Sequence, residues 1–129
     1  MRFRSVIVAV GLATAGLIAP NLALAHVSIV ASTPAENATV DRPREIVLTF
    51  SKAVLPSTAA ASIVMTAMPG MANHGEMVIR NFTPGWSNDN TTLTLNLREP
   101  LRAGTYEVRW QATGADGHPM KGVINFTVR

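Results

Sequence analysis

Thr92-Leu93-Thr94-Leu95-Asn96-Leu97 alternates apolar and polar residues without a break, and further on Tyr106-Glu107-Val108-Arg109-Trp110-Gln111-Ala112 does the same. A period of two belongs to a strand with one face packed and the other wet. Working outward, Ile46, Leu48 and Phe50 alternate with Val47 and Thr49, and Ile63, Met65 and Ala67 with Val64 and Thr66. Val27 to Ser32 reads as an opening strand ended by Thr33-Pro34; Met77 to Phe82 is another candidate, and Ile124, Phe126 and Val128 close the chain. No helical period of useful length follows residue 26. About seven short strands separated by Pro, Gly, Asn and Asp clusters predict an all-β fold, a seven-stranded β-sandwich or small Greek-key β-barrel. Pro43, Pro56, Pro84, Pro100 and Pro119 are expected between strands, since a missing N–H interrupts a ladder.

Residues 1–25 read as a signal peptide. Arg2 and Arg4 supply a basic start, Val6 to Ile18 an apolar run, and Ala23-Leu24-Ala25 a small-x-small cleavage site. The apolar run is short of the roughly 20 residues a bilayer span needs. Removal leaves residues 26–129 as one exported domain, with no further apolar span and so no expected membrane insertion.

Because Arg2 and Arg4 lie in that segment, the remainder carries nine basic against eight acidic residues, a net charge of about +1. Such a balance argues against nucleic acid as a partner. The chain has no cysteine. A disulfide framework and thiolate metal sites are therefore excluded, and any soft ligand must be methionine.

Cleavage after Ala25 makes His26 the first residue of the mature chain. Its α-amine and imidazole then form a chelate within one residue. Asp116-Gly117-His118 lies between the Tyr106 and Ile124 strands and offers a carboxylate and a second imidazole. Residues two apart in an extended segment point the same way, Gly117 permits a tight backbone, and Pro119 biases His118 towards extended geometry. Two imidazoles, an amine and a carboxylate suit tetragonal Cu(II) better than tetrahedral Zn(II). The bland alternative is an Asp-Gly turn with a surface histidine and a frayed terminus.

A second cluster runs from Met65 through Met68, Met71 and His74 to Met77, and holds four of the five methionines that follow Met1. Thioethers are soft neutral donors that favour Cu(I). Core filling explains Met65 best, since it sits in a strand-like stretch. It explains Met68, Met71 and His74 poorly, because Pro, Gly, Ala and Asn around them describe an exposed loop. A methionine patch for a protein partner is the other alternative. Met120 is left unassigned.

These residues resemble the CopC family of periplasmic copper-resistance proteins across 26–129. The resemblance is carried by His26, Ser32-Thr-Pro-Ala-Glu36, Leu48-Thr-Phe-Ser51, Val64-Met-Thr-Ala-Met-Pro-Gly-Met71, Gly104-Thr-Tyr-Glu-Val-Arg-Trp110 and Asp116-Gly-His-Pro119. It implies a seven-stranded Greek-key β-barrel of immunoglobulin-like topology. It also implies copper carriage for resistance or homeostasis, often beside an inner-membrane CopD-like copper transport partner, by a chain expected to be monomeric. By position, His26, Asp116 and His118 resemble the family's Cu(II) ligands; Met65, Met68, Met71, His74 and Met77 resemble its Cu(I) cluster at the opposite end of the barrel. Two departures stand out. Lys52 occupies a position that is glutamate in some relatives, and the segment between Met71 and Met77 is one residue longer than in the best-known member.

The expected function is a non-enzymatic copper carrier. A copper-brace oxidase resembling lytic polysaccharide monooxygenases shares the terminal histidine, but leaves coordination positions open and displays a flat aromatic surface. Here Asp116 would fill a position, and Tyr106 and Trp110 belong to core alternation. A non-metal interaction module on the same fold is the third reading.

Overall fold

The computed structural model describes residues 26–71 and 75–129. The signal-peptide reading of residues 1–25 and the assignment of His74 fall outside these. Nine strands are formed among the described residues: β1 (Ile29–Thr33), β2 (Ala38–Val40), β3 (Glu45–Phe50), β4 (Ala60–Ala67), β5 (Met77–Ile79), β6 (Phe82–Ser87), β7 (Thr92–Leu97), β8 (Gly104–Thr113) and β9 (Pro119–Val128). They make two sheets, ordered β1-β3-β7-β6 and β2-β9-β8-β4-β5. The chain passes between the sheets after β1, β2, β3, β5 and β7. The architecture is thus the sandwich of the two expected forms rather than one closed barrel.

The strand count exceeds seven for identifiable reasons. β2 is a three-residue strand that adds in parallel to β9, too short to show a period. The stretch Met77 to Phe82 is not one strand. β5 ends at Ile79 on the β4 edge, and β6 starts at Phe82 in the other sheet. Pro84 consequently lies within β6, opposite Leu95, and not between strands. β6 is an outer strand, where an absent N–H can face away from the ladder. Pro119 likewise opens β9.

Inward residues of both sheets form one core that includes Leu48, Leu95, Ile63, Tyr106, Val108 and Phe126. Tyr106 stacks on Phe126 with ring centroids 5.4 Å apart, and its hydroxyl donates to the Arg102 carbonyl at 2.7 Å. Burial pushes the Tyr106 phenol above its usual range. Trp110 meets Phe50 edge-on at 5.5 Å and lies opposite Gly122 on β9. A Cβ at Gly122 would sit 2.8 Å from the indole, so only glycine leaves room for the ring.

The long hairpin β8–β9 connects the two regions that hold the candidate donors. Its pairing runs from Gly104↔Val128 to Thr113↔Pro119. Tyr106 at one end faces Met65 of β4. At the other end Thr113 leads directly into the Asp116 turn. At about 3.4 Å per residue, these ends lie roughly 25–30 Å apart. No helix among the described residues is long and apolar enough to cross a membrane.

Candidate metal centres

Asp116 sits in a turn closed by the Gly117 N–H donating to the Gly114 carbonyl at 3.1 Å, with Gly117 at φ +76°. The extended geometry expected around Asp116 and His118 is therefore replaced by a turn, because Gly117 can adopt the left-handed conformation. The turn gathers the pair all the same. Asp116 Oδ1 accepts the His118 backbone N–H at 3.1 Å, the two-residue side-chain bond typical of aspartate in turns.

His26 arrives from the far end of the sequence. Its Nδ1 lies 3.1 Å from Asp116 Oδ2, and its ring stacks against that of His118 with centroids 5.2 Å apart. One ligand atom from each of His26, Asp116 and His118 falls within 4.8 Å of the others. All three side chains reach solvent. The predicted trio is thus brought together across a sequence separation of 90 residues. Lys52 is exposed and makes no ion pair among the described residues.

The Asp116 carboxyl is held below the usual carboxylate range, first by the His118 backbone N–H and then by the nearby imidazoles. Acidification from about pH 8 to about pH 5 does not protonate Asp116, so protons compete for the nitrogen donors alone. Cu(II) affinity, measured by competition with a chelator, is expected to fall steadily as pH falls across this range. The Asp116→Asn variant is expected to bind more weakly with the same pH slope. A flat profile would contradict nitrogen ligation.

The methionine cluster is less uniform than its sequence suggests. Met65 is 2% exposed and packs in the core; a Cβ at Gly104 would lie 3.2 Å from its methyl group. Met68 is half-buried against the core, contrary to the exposed loop expected for it. Met71 and Met77 are exposed at 53% and 46%. Met65, Met68 and Met77 line one cavity of about 240 Å³, floored by Leu101 and Tyr106. Met71 folds back on Met68 through a backbone bridge, its N–H donating to the Met68 carbonyl at 3.2 Å. Met65 faces Met77 across β4 and β5.

A contact not visible in the sequence braces this loop. Arg109 of β8 donates from both terminal nitrogens to Glu76, at 2.7 and 3.2 Å, and from Nε to Glu107 at 2.9 Å. The guanidinium holds Glu76 below its usual range. Exposed pairs add little stability. The fork nonetheless ties the residue before Met77 to the sheet. Arg109 alternates as an outward residue, and nothing local indicates its partner 33 residues away.

The model of the CopC domain family matches residues 29–129. The chain belongs to the CopC family. Among curated relatives of this CopC-family chain, copper resistance protein C of Pseudomonas syringae pv. tomato is 40% identical over 120 residues, covering 93% of this chain and 94% of that protein. Copper resistance protein C of Xanthomonas campestris pv. juglandis is 39% identical over 127 residues, covering 98% of each. Among solved structures, the crystal structure of selenomethionine PcoC, a copper resistance protein from Escherichia coli, superposes with a TM-score of 0.73 at 34% identity. That likeness spans 79% of this chain and 99% of PcoC. The CopC from Methylosinus trichosporium OB3b gives a TM-score of 0.59 at 25% identity, over 80% and 93% of the two chains.

Proposed function

We propose that this CopC-family protein is a periplasmic copper carrier serving copper resistance or homeostasis, with Cu(II) held at one end of the sandwich and Cu(I) at the other. The observation that carries the reading is the convergence of His26, Asp116 and His118 within 4.8 Å. In a chain cleaved after Ala25, the His26 α-amine adds a fourth donor to the same spot. Nitrogen and carboxylate donors in that number fit Cu(II). The Met65, Met68, Met71 and Met77 thioethers, with His74, supply soft neutral donors for Cu(I). Relatives named copper resistance proteins at about 40% identity support copper as the cargo.

Carriage requires no catalytic step. Protein groups fill the strong positions around Cu(II), and the exposed rims of both sites allow ligand exchange with a receiving protein, such as a CopD-like inner-membrane transporter. Mass spectrometry of the exported protein tests this directly. The expected result is a chain beginning at His26 that retains copper. A chain starting elsewhere that holds Cu(II) equally well contradicts the terminal-amine site, and loss of all copper to a weak chelator contradicts the carrier. Oxidised oligosaccharides formed from polysaccharide by the copper-loaded protein and a reductant would instead mark an oxidase.

A further inference from the structure

We infer that Val27 and Gly114 position the Cu(II) centre: the Val27 side chain, seated against a backbone notch that only glycine leaves open, holds His26 on the Asp116 turn. This rests on the reading of His26, Asp116 and His118 as the Cu(II) site. Chain ends ordinarily fray because nothing ties them down. Val27, although it precedes β1, is 1% exposed and belongs to the core.

The notch is specific. Gly114 bridges Val54, which is itself buried. A Cβ on Gly114 would lie 2.5 Å from Val27 Cγ2 and 3.6 Å from Asp116 Oδ1. The first distance is too short for a non-bonded pair of carbons. The methyl it meets sits on a β-branched side chain, stiff about χ1. An added methyl must therefore lift Val27 or push back the turn, and either motion parts His26 from Asp116.

Two features aim the valine inward. The Ser28 N–H donates to Ser51 Oγ at 3.0 Å, and the Ser51 N–H to the Ser28 carbonyl at 2.8 Å, fixing the backbone just beyond Val27. β1 also carries a bulge: Ile29 faces Phe50 while Ala31 faces Thr49, leaving Val30 extra and 62% exposed. An unbulged strand in the register of Ser32↔Leu48 would turn Val27 outward and His26 inward, since a slip of one residue exchanges the faces.

The test uses the mature chain with Gly114→Ala, Val27→Ala and the double substitution, titrated with Cu(II) and separately with Cu(I) against competing chelators. Gly114→Ala alters no ligand, yet is expected to weaken Cu(II) binding about 10- to 100-fold and to change the Cu(II) electron paramagnetic resonance spectrum. Cu(I) binding at the far end should stay unchanged, showing an intact fold. Val27→Ala, which only removes atoms, is expected to weaken Cu(II) by a similar factor. The double variant should recover most of the loss, because the smaller side chain leaves room for the new methyl. Wild-type Cu(II) affinity in Gly114→Ala or Val27→Ala, or a double variant no better than Gly114→Ala, overturns the positioning role alone. Wild-type protein that holds no Cu(II) overturns the site reading together with it.

Discussion

A single extra residue before His26 is expected to lower Cu(II) affinity by more than about 100-fold, beyond what loss of a supporting contact usually costs. The addition converts the α-amine into a peptide nitrogen, which is a far poorer donor. It also removes the chelate, in which one residue supplies two nitrogens. Nothing else needs to change. His26 Nδ1 can still lie 3.1 Å from Asp116, and Val27 can stay in the core. Cu(I) binding should be untouched, because the methionine cavity lies at the other end of β8. Chelator competition on the chain with and without one leading alanine makes the measurement. Equal Cu(II) affinity in the two would remove the amine from the site. Parallel loss of Cu(I) would show that the two sites are not separate.

The Met68→Leu, Met71→Leu double variant is expected to weaken Cu(I) at least about tenfold and leave Cu(II) unchanged. Met68 and Met71 are tied by a backbone bridge, so the loop presents both from one small turn. Leucine keeps their volume and apolar character, and such swaps usually cost under about 1.5 kcal/mol even in cores. Met71 is exposed, and Met68 only half-buried, so the cost here should be smaller. What disappears is sulfur. An unchanged melting temperature together with lost Cu(I) binding separates ligand chemistry from folding. Retained Cu(I) affinity would assign the methionines to a protein-docking patch. Met65 is less informative, since at 2% exposure its replacement disturbs packing and donor together.

Much of the fold was legible because exposure alternates along the strands that carry it. The period of two in β3, β7 and β8 identifies residues whose neighbours two positions away share a face, and those faces are the core. The pattern failed where strands are short or only partly buried. β2 has three residues, and β6 contains Pro84 and Gly85, which argue locally against a strand. An outer position in the sheet permits them, and a position in a sheet is not a local property. The same holds for the methionines. Composition marks residues 65–77 as a soft-donor cluster, but local sequence does not say that Met68 turns back against the core while Met71 stays in solvent.

Amino-acid order alone determined the all-β class, the absence of thiol chemistry, the small-x-small ending ahead of His26, and the two groups of candidate donors. These depend on residue identity and on neighbours a few positions apart. The tertiary structure decided that His26 meets Asp116 90 residues away, that Val27 is held in a notch at Gly114, and that Arg109 braces Glu76 beside Met77. Contacts of that kind arise only when two sheets close on a shared core, because the packing of distant strands, not the propensity of any segment, sets which side chains share a space.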